Sequence, residues 1–112
     1  MIEIKRIQQQ PGLAQAIYAV MTDVYPVSPW NLEQIQADLS QGQTWYALAF
    51  DGVEVIGFLA VQENFFEAEV LQIAVKKAYQ GQGIASDLFA TLPTDKEIFL
   101  EVRKSNQRAQ AF

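Results

Sequence analysis

The chain predicts an α/β domain of the α+β kind: a central mixed, mainly antiparallel sheet flanked by helices. Three observations carry that prediction. Short apolar segments with strand-like alternation recur along the chain. Two of them meet at Asp51-Gly52, a two-residue hairpin signal. A third, Glu69-Val70-Leu71-Gln72-Ile73-Ala74-Val75, runs through a glycine turn straight into a helical pattern, which returns the chain parallel to its neighbour by a right-handed crossover.

The elements follow in order. Residues 2 to 7 alternate apolar and polar and predict a first strand. Pro11 can open a helix at its first turn, and Leu13, Ala14, Ile17, Val20, Met21 and Val24 form one apolar stripe. Tyr25-Pro26-Val27-Ser28-Pro29 ends it, because each proline disfavours helix in the residue before it. Asn31 predicts the N-cap of a second helix carrying Leu32, Ile35 and Leu39, with Gly42 as its stop. Thr44 to Phe50 and Val53 to Gln62 predict the hairpin strands, and Glu63-Asn64 leads into a third strand ending at Val75. The helix after the glycine turn is expected to reach about Leu92, where Pro93-Thr94-Asp95 stops it. Glu97 to Arg103 predicts another strand, and Ser105 caps a final helix. No repeat, low-complexity stretch or linker divides residues 1–112, which read as a single domain.

Composition narrows the function. Half of the 112 residues are hydrophobic, enough for one core. No run of about 18 apolar residues is present, so no membrane partner is expected, and the alternating start Met1-Ile2-Glu3-Ile4-Lys5-Arg6 does not read as a signal peptide. Without cysteine there is no disulfide or thiolate metal site, and without histidine the commonest base and metal ligand is missing. No metal is expected, and acid–base work falls to carboxylates, tyrosines, lysines, a terminus or water. Eight basic residues against thirteen acidic ones give a net charge of -5. That balance argues against a nucleic-acid partner and favours a cationic one. Cytoplasmic location is the expectation.

The run Val75-Lys76-Lys77-Ala78-Tyr79-Gln80-Gly81-Gln82-Gly83-Ile84-Ala85 carries the most chemistry. Strand, glycine turn and helix in that order form an anion cradle. Glycines let backbone approach a ligand, and the first N–H groups of a helix have no partner within it. A P-loop would need a lysine after Gly83, and the dinucleotide fingerprint fails at Ser86. Gln/Arg-x-x-Gly-x-Gly/Ala is met at every position by Gln80-Gly81-Gln82-Gly83-Ile84-Ala85.

That pattern resembles the pyrophosphate loop of the GNAT N-acetyltransferases, which bind acetyl-CoA. Leu100-Glu101-Val102 followed by Ser105-Asn106, and upstream Ser28-Pro29-Trp30, resemble the ribosomal-protein-alanine N-acetyltransferase branch. The resemblance spans essentially the whole chain. It implies the GNAT fold and transfer of acetyl from acetyl-CoA, the cosubstrate, to an amine acceptor, an α-amine at a ribosomal-protein N-terminus in this branch. Backbone groups of Gly81, Gln82, Gly83, Ile84 and Ala85 would hold the pyrophosphate, with Gln80 opening the loop. Backbone of Ile73, Ala74 and Val75 would pair with the pantetheine arm and polarise the thioester carbonyl. Asn106 would contact the CoA arm, and it also reads as a helix cap.

The resemblance makes Glu101 the general base. A glutamate within an apolar strand should be partly buried, its pKa raised, although a salt bridge to the neighbouring Arg103 or Lys104 is the competing reading. Glu69 is the second candidate. With Glu63 and Glu67 it can instead give an acceptor groove its negative field. An α-amine, with a pKa of about 8, needs only a modest base. Trp30 reads equally as a wall of the acceptor groove and as a cap on the core.

The family would continue the last helix and add two strands past Phe112, the next residue being the tyrosine that protonates the leaving thiolate. The chain therefore reads as C-terminally truncated. Ile98, Phe99, Leu100 and Val102 are then expected to be partly bare, which invites homodimer formation through the last strand. Three functions follow: an N-acetyltransferase, an acetyl-CoA-binding module without turnover, and an interaction module without a ligand.

Overall fold

The computed structural model describes residues 2–7 and 11–100. The elements are β1 (Ile2–Ile7), α1 (Leu13–Val24), α2 (Leu32–Gln41), β2 (Thr44–Asp51), β3 (Glu54–Glu63), β4 (Glu67–Val75), α3 (Ile84–Phe89) and β5 (Glu97–Leu100). The five strands form one sheet in sequence order. Neighbours are antiparallel except β4 and β5, which run parallel. A mixed, mainly antiparallel sheet is therefore what the chain forms.

Helices cover both faces. α1 and α2 pack Leu13, Ile17, Met21, Ile35 and Leu39 against Tyr46, Leu48, Phe58 and Ala60 on one side. α3 packs Ile84 and Leu88 against Ala47, Ala49, Leu59 and Val61 on the other. This double covering explains why Tyr46 to Ala49 and Ile56 to Val61 are buried without interruption. Gly57 lies opposite Val75, where a Cβ would come within 3.1 Å of the Ala74 carbonyl oxygen. A side chain there would push β3 and β4 apart.

Asn31 caps α2 as expected, and the cap is reciprocal. Its Oδ1 accepts from the Gln34 N–H at 2.8 Å, while Gln34 Oε1 accepts from the Asn31 N–H at 2.8 Å. Gly42 closes α2 in the left-handed conformation, φ 70°.

Five boundaries differ from expectation. α1 begins after Pro11, with Gly12 at its N-cap at φ 83°. β3 begins at Glu54, because the hairpin turn takes in Val53, which is 98% exposed. β3 also runs on through Glu63, and β4 starts at Glu67 after a turn in which Asn64 Oδ1 accepts from the Phe66 and Glu67 N–H groups. α3 stops at Phe89 rather than Leu92. There the Thr91 hydroxyl donates to the Leu88 carbonyl at 2.7 Å, and Pro93 disfavours helix at Leu92.

Candidate active site

The site is organised by an irregularity in β4. Ala60 pairs with Gln72 and Val61 with Val70, so Leu71 is an extra residue in β4. Such a β-bulge bends its strand and interrupts the ladder. Pairing with β5 covers Glu67 to Val70 and stops at the bulge. Past it, no described strand lies beside Leu71 to Val75 on that side. The Lys76 N–H donates to the Ile56 carbonyl at 2.8 Å. By the alternation of an antiparallel ladder, Ala74 and Gln72 then face β3, while Ile73 and Val75 present N–H and C=O at the opposite edge. Of the three residues expected to pair with a pantetheine arm, Ile73 and Val75 have their backbone groups at this edge, and Ala74 has its own toward β3.

This edge leads into the glycine turn, which is braced by side chains. Asp23 Oδ2, from the end of α1, accepts from the Lys77 N–H at 2.7 Å. The Tyr79 hydroxyl donates to Asp51 Oδ2 at 2.6 Å. Its pKa is pushed up to about 12, chiefly by that hydrogen bond, then by desolvation and the charges of Asp51 and Glu54. Gln80 Nε2 donates back to the Val75 carbonyl at 2.9 Å. Gly81 and Gly83 follow at φ 84° and 81°, with open space where a Cβ would stand. A side chain at either position would be strained by the backbone alone. Gln82 is exposed, Ile84 is buried in the core, and Ala85 is half-buried at its margin.

Behind the bulge, Gln72 is only 2% exposed. Its Oε1 accepts from the Tyr25 hydroxyl at 3.3 Å, tying the α1–α2 connection to β4. Tyr25 is held extended by Pro26. In the same connection the Ser28 hydroxyl donates to the Trp30 carbonyl, and Trp30 is half-buried against the α1–α2 core.

The other end of β4 forms the wall of an open cleft of about 520 Å³, lined by Gln62, Glu63, Asn64, Glu67, Glu69, Phe99 and Leu100. Glu69 is half-buried in the strand, paired with Gln62 on one side and Phe99 on the other. Glu63, Glu67 and Glu69 thus share one cleft. Lys96 partly offsets them, with Nζ 3.7 Å from Glu63 Oε2 and donating to the Asn64 carbonyl at 2.7 Å. Ile98, Phe99 and Leu100 are 38%, 43% and 48% exposed. Glu101, Val102 and Asn106 lie outside the described residues, as does the final helix.

Sequence reasoning missed the bulge and the polar pairs around it. One signal was available: Gln72 is a polar residue inside an apolar strand, flanked by Leu71 and Ile73. The braces from Asp23 and Asp51 join residues 54 and 28 positions apart, and no local pattern announces them.

The backbone at this edge and the space in the turn suit the group that the glycine pattern implies. A family model, Acetyltransferase (GNAT) family, matches residues 12–112. The chain belongs to the GNAT acetyltransferase family. No curated protein matches it. Among solved structures it is similar to the ribosomal-protein-S18-alanine N-acetyltransferase of Escherichia coli: TM-score 0.80, 23% identity, 99% of this chain and 73% of that one covered. It is also similar to an aminoglycoside acetyltransferase from an uncultured soil metagenomic sample, with TM-score 0.74, 21% identity and coverage of 99% and 84%. Against a GNAT-family protein of Desulfovibrio desulfuricans the TM-score is 0.69 at 16% identity, and the match spans 80% of this chain but 62% of that one. At these identities the likeness is one of fold. No helix among the described residues is long and apolar enough to cross a membrane.

Proposed function

We propose that this chain transfers acetyl from acetyl-CoA to an amine, and that the acceptor is a protein N-terminal α-amine of the ribosomal-protein-alanine kind. The observation that carries the reading is the bulged strand β4. Past the bulge its edge, with no described strand beside it, runs into the glycine turn at one end, and its other end walls an acidic cleft. Ile73 and Val75 would hold the pantetheine arm by backbone hydrogen bonds, as an added strand would. The N–H groups from Gly81 to Ala85 would hold the pyrophosphate. When bound, acetyl-CoA supplies the acetyl group. The carboxylates of the cleft attract a cationic amine, and a glutamate takes its proton. Glu101 is the proposed base and Glu69 the second candidate. Trp30 would wall the acceptor groove from the α1–α2 connection, and Asn106 would touch the CoA arm. A cytoplasmic setting fits this chemistry.

The acceptor class rests on the Ser28-Pro29-Trp30 and Leu100-Glu101-Val102 pieces and on the likeness to the Escherichia coli enzyme. The test has two stages. Calorimetry with acetyl-CoA is expected to give micromolar binding, roughly -8 kcal/mol. A peptide with a free N-terminal alanine is then expected to be acetylated in preference to an aminoglycoside, and Glu101→Gln to lower kcat by about 10²–10⁴-fold. Preference for the aminoglycoside would overturn the acceptor class.

A second reading has one observation in its favour. The exposed Ile98, Phe99 and Leu100 on the last described strand suit a self-associating, acetyl-CoA-binding module. Binding without turnover, together with a dimer by light scattering, would select it.

A further inference from the structure

Gln62 lies in a row that crosses four strands. Thr44 pairs with Gln62, Gln62 with Glu69, and Glu69 with Phe99, so all four side chains share one face of the sheet. Along this row runs a directed chain of hydrogen bonds. Gln62 Nε2 donates to Thr44 Oγ1 at 3.1 Å, and the Thr44 hydroxyl donates to Asp38 Oδ1 at 2.9 Å. The other oxygen, Asp38 Oδ2, accepts from the Tyr46 hydroxyl at 2.7 Å.

The direction of that chain is forced. A carboxylate only accepts, and a hydroxyl has one proton. With the Thr44 proton given to Asp38, Thr44 Oγ1 can only accept from Gln62. The carboxamide must therefore turn its nitrogen toward Thr44, which leaves Oε1 for the cleft that Gln62 lines. Thr44 is 8% exposed and Tyr46 1% exposed, so the anchor of the chain is shielded from water. Among the described residues Oε1 of Gln62 has no hydrogen-bond partner.

We infer that Gln62 is a specificity-determining residue for the amine acceptor, with Thr44 and Asp38 as positioning residues that keep its carbonyl oxygen beside Glu69. The inference rests on the amine-acceptor reading of the cleft. An ammonium group has three N–H donors. The Glu69 carboxylate and Gln62 Oε1 are two acceptors on adjacent strands, one charged and one neutral. Such a pair selects a primary amine carrying several N–H bonds over a tertiary amine with one. It also holds the amine by a group that does not compete for its proton.

The test uses the 112-residue chain and a tripeptide with a free N-terminal alanine, with the N-acetylated and N,N-dimethylated tripeptides as controls. NMR follows the side-chain carboxamide of Gln62, and calorimetry gives affinities for peptide and for acetyl-CoA separately. The free peptide is expected to shift the Gln62 carboxamide resonances and both controls to leave them in place. Gln62→Leu and Thr44→Val are each expected to weaken peptide binding about tenfold with acetyl-CoA affinity unchanged, and Thr44→Ser to restore it. Gln62→Leu changes a half-buried cleft residue, so it reads the contact even if Thr44→Val fails to fold. Peptide affinity unchanged in Gln62→Leu, equal binding of either control, or no peptide binding would overturn the inference. Peptide binding through Gln62 without any acetyl-CoA binding would sink the acetyl-transfer reading and leave Gln62 standing. Acetyl transfer that ignores Gln62 would do the reverse.

Discussion

The two ends of β4 are built from different materials. Toward Val75 the candidate groups are backbone: N–H of Ile73 and Val75 and C=O of Ile73 at an edge with no described strand beside it, then the turn at Gly81 and Gly83. Toward Glu67 they are side chains, three carboxylates and the Gln62 carboxamide around a cleft. The first end suits an anion and the second a cation. A backbone site tolerates many side chains but requires particular dihedral angles. A side-chain site tolerates ordinary backbone but requires particular residues brought together across strands. The bulge at Leu71 marks the border between the two.

Substitutions at the two ends should therefore fail differently. The largest effect is expected from Gly83→Val. Forcing a β-branched residue to φ 81° costs about 1–2 kcal/mol from the backbone alone, more with branching. Acetyl-CoA affinity should fall at least about tenfold by calorimetry, with acceptor KM unmoved. Equal loss of both would mean that the ends are one cooperative unit.

At the other end, Glu69→Gln keeps shape and removes charge. We expect kcat/KM for a cationic acceptor to fall about tenfold, while acetyl-CoA binding stays within about twofold. An unchanged kcat/KM would move the acceptor away from this cleft.

Gln80→Ala sharpens the comparison, because it removes a side chain from the backbone-built end. Losing one hydrogen bond to the Val75 carbonyl should cost about 1 kcal/mol, or roughly fivefold in acetyl-CoA affinity. Gln80→Arg keeps a donor and should recover most of that. Tighter binding in Gln80→Ala would mean that Gln80 competes with the ligand for that carbonyl.

The smallest effect concerns pH. The Tyr79 hydroxyl has its pKa raised from 10.0 to about 12 by Asp51. A raised pKa favours the protonated form in the folded protein, so its stabilisation is complete below pH 10 and is lost as pH rises through about 12. Tyr46 is raised too, by burial and by Asp38, and acts in the same direction. Thermal unfolding of the chain should therefore fall more steeply between pH 10 and 12 than that of Tyr79→Phe. Parallel curves would show that the Tyr79–Asp51 contact is not held in solution.

The asymmetry between the ends also governs what could be read in advance. The glycine turn was legible because its requirements are local: two positive φ angles, a strand before and a helix after. The cap at Asn31 and the stop at Gly42 were legible for the same reason. Glu63, Glu67 and Glu69 could be grouped as an acidic groove because they lie close in sequence. Gln62 and its support from Thr44 and Asp38 could not, since register alone brings them into one row. α3 is shorter than its apolar spacing predicts: that spacing runs on to Leu92, whereas past Ala90 the backbone tightens to bonds from the Thr91 N–H to the Leu88 carbonyl and from the Leu92 N–H to the Phe89 carbonyl.

The sequence by itself determined the order of elements, the mixed sheet, the glycine turn between strand and helix, and the family that the turn resembles. These follow from periodicity, prolines and glycines, which act within a few residues of where they stand. Only the tertiary structure decided that Leu71 bulges, that Ala74 faces β3 while Ile73 and Val75 do not, and that a threonine and an aspartate orient Gln62 at the cleft. Strand register is the reason. A single extra residue in β4 changes which backbone groups meet the edge away from β3, and register is settled by packing on both faces of the sheet rather than by any one segment.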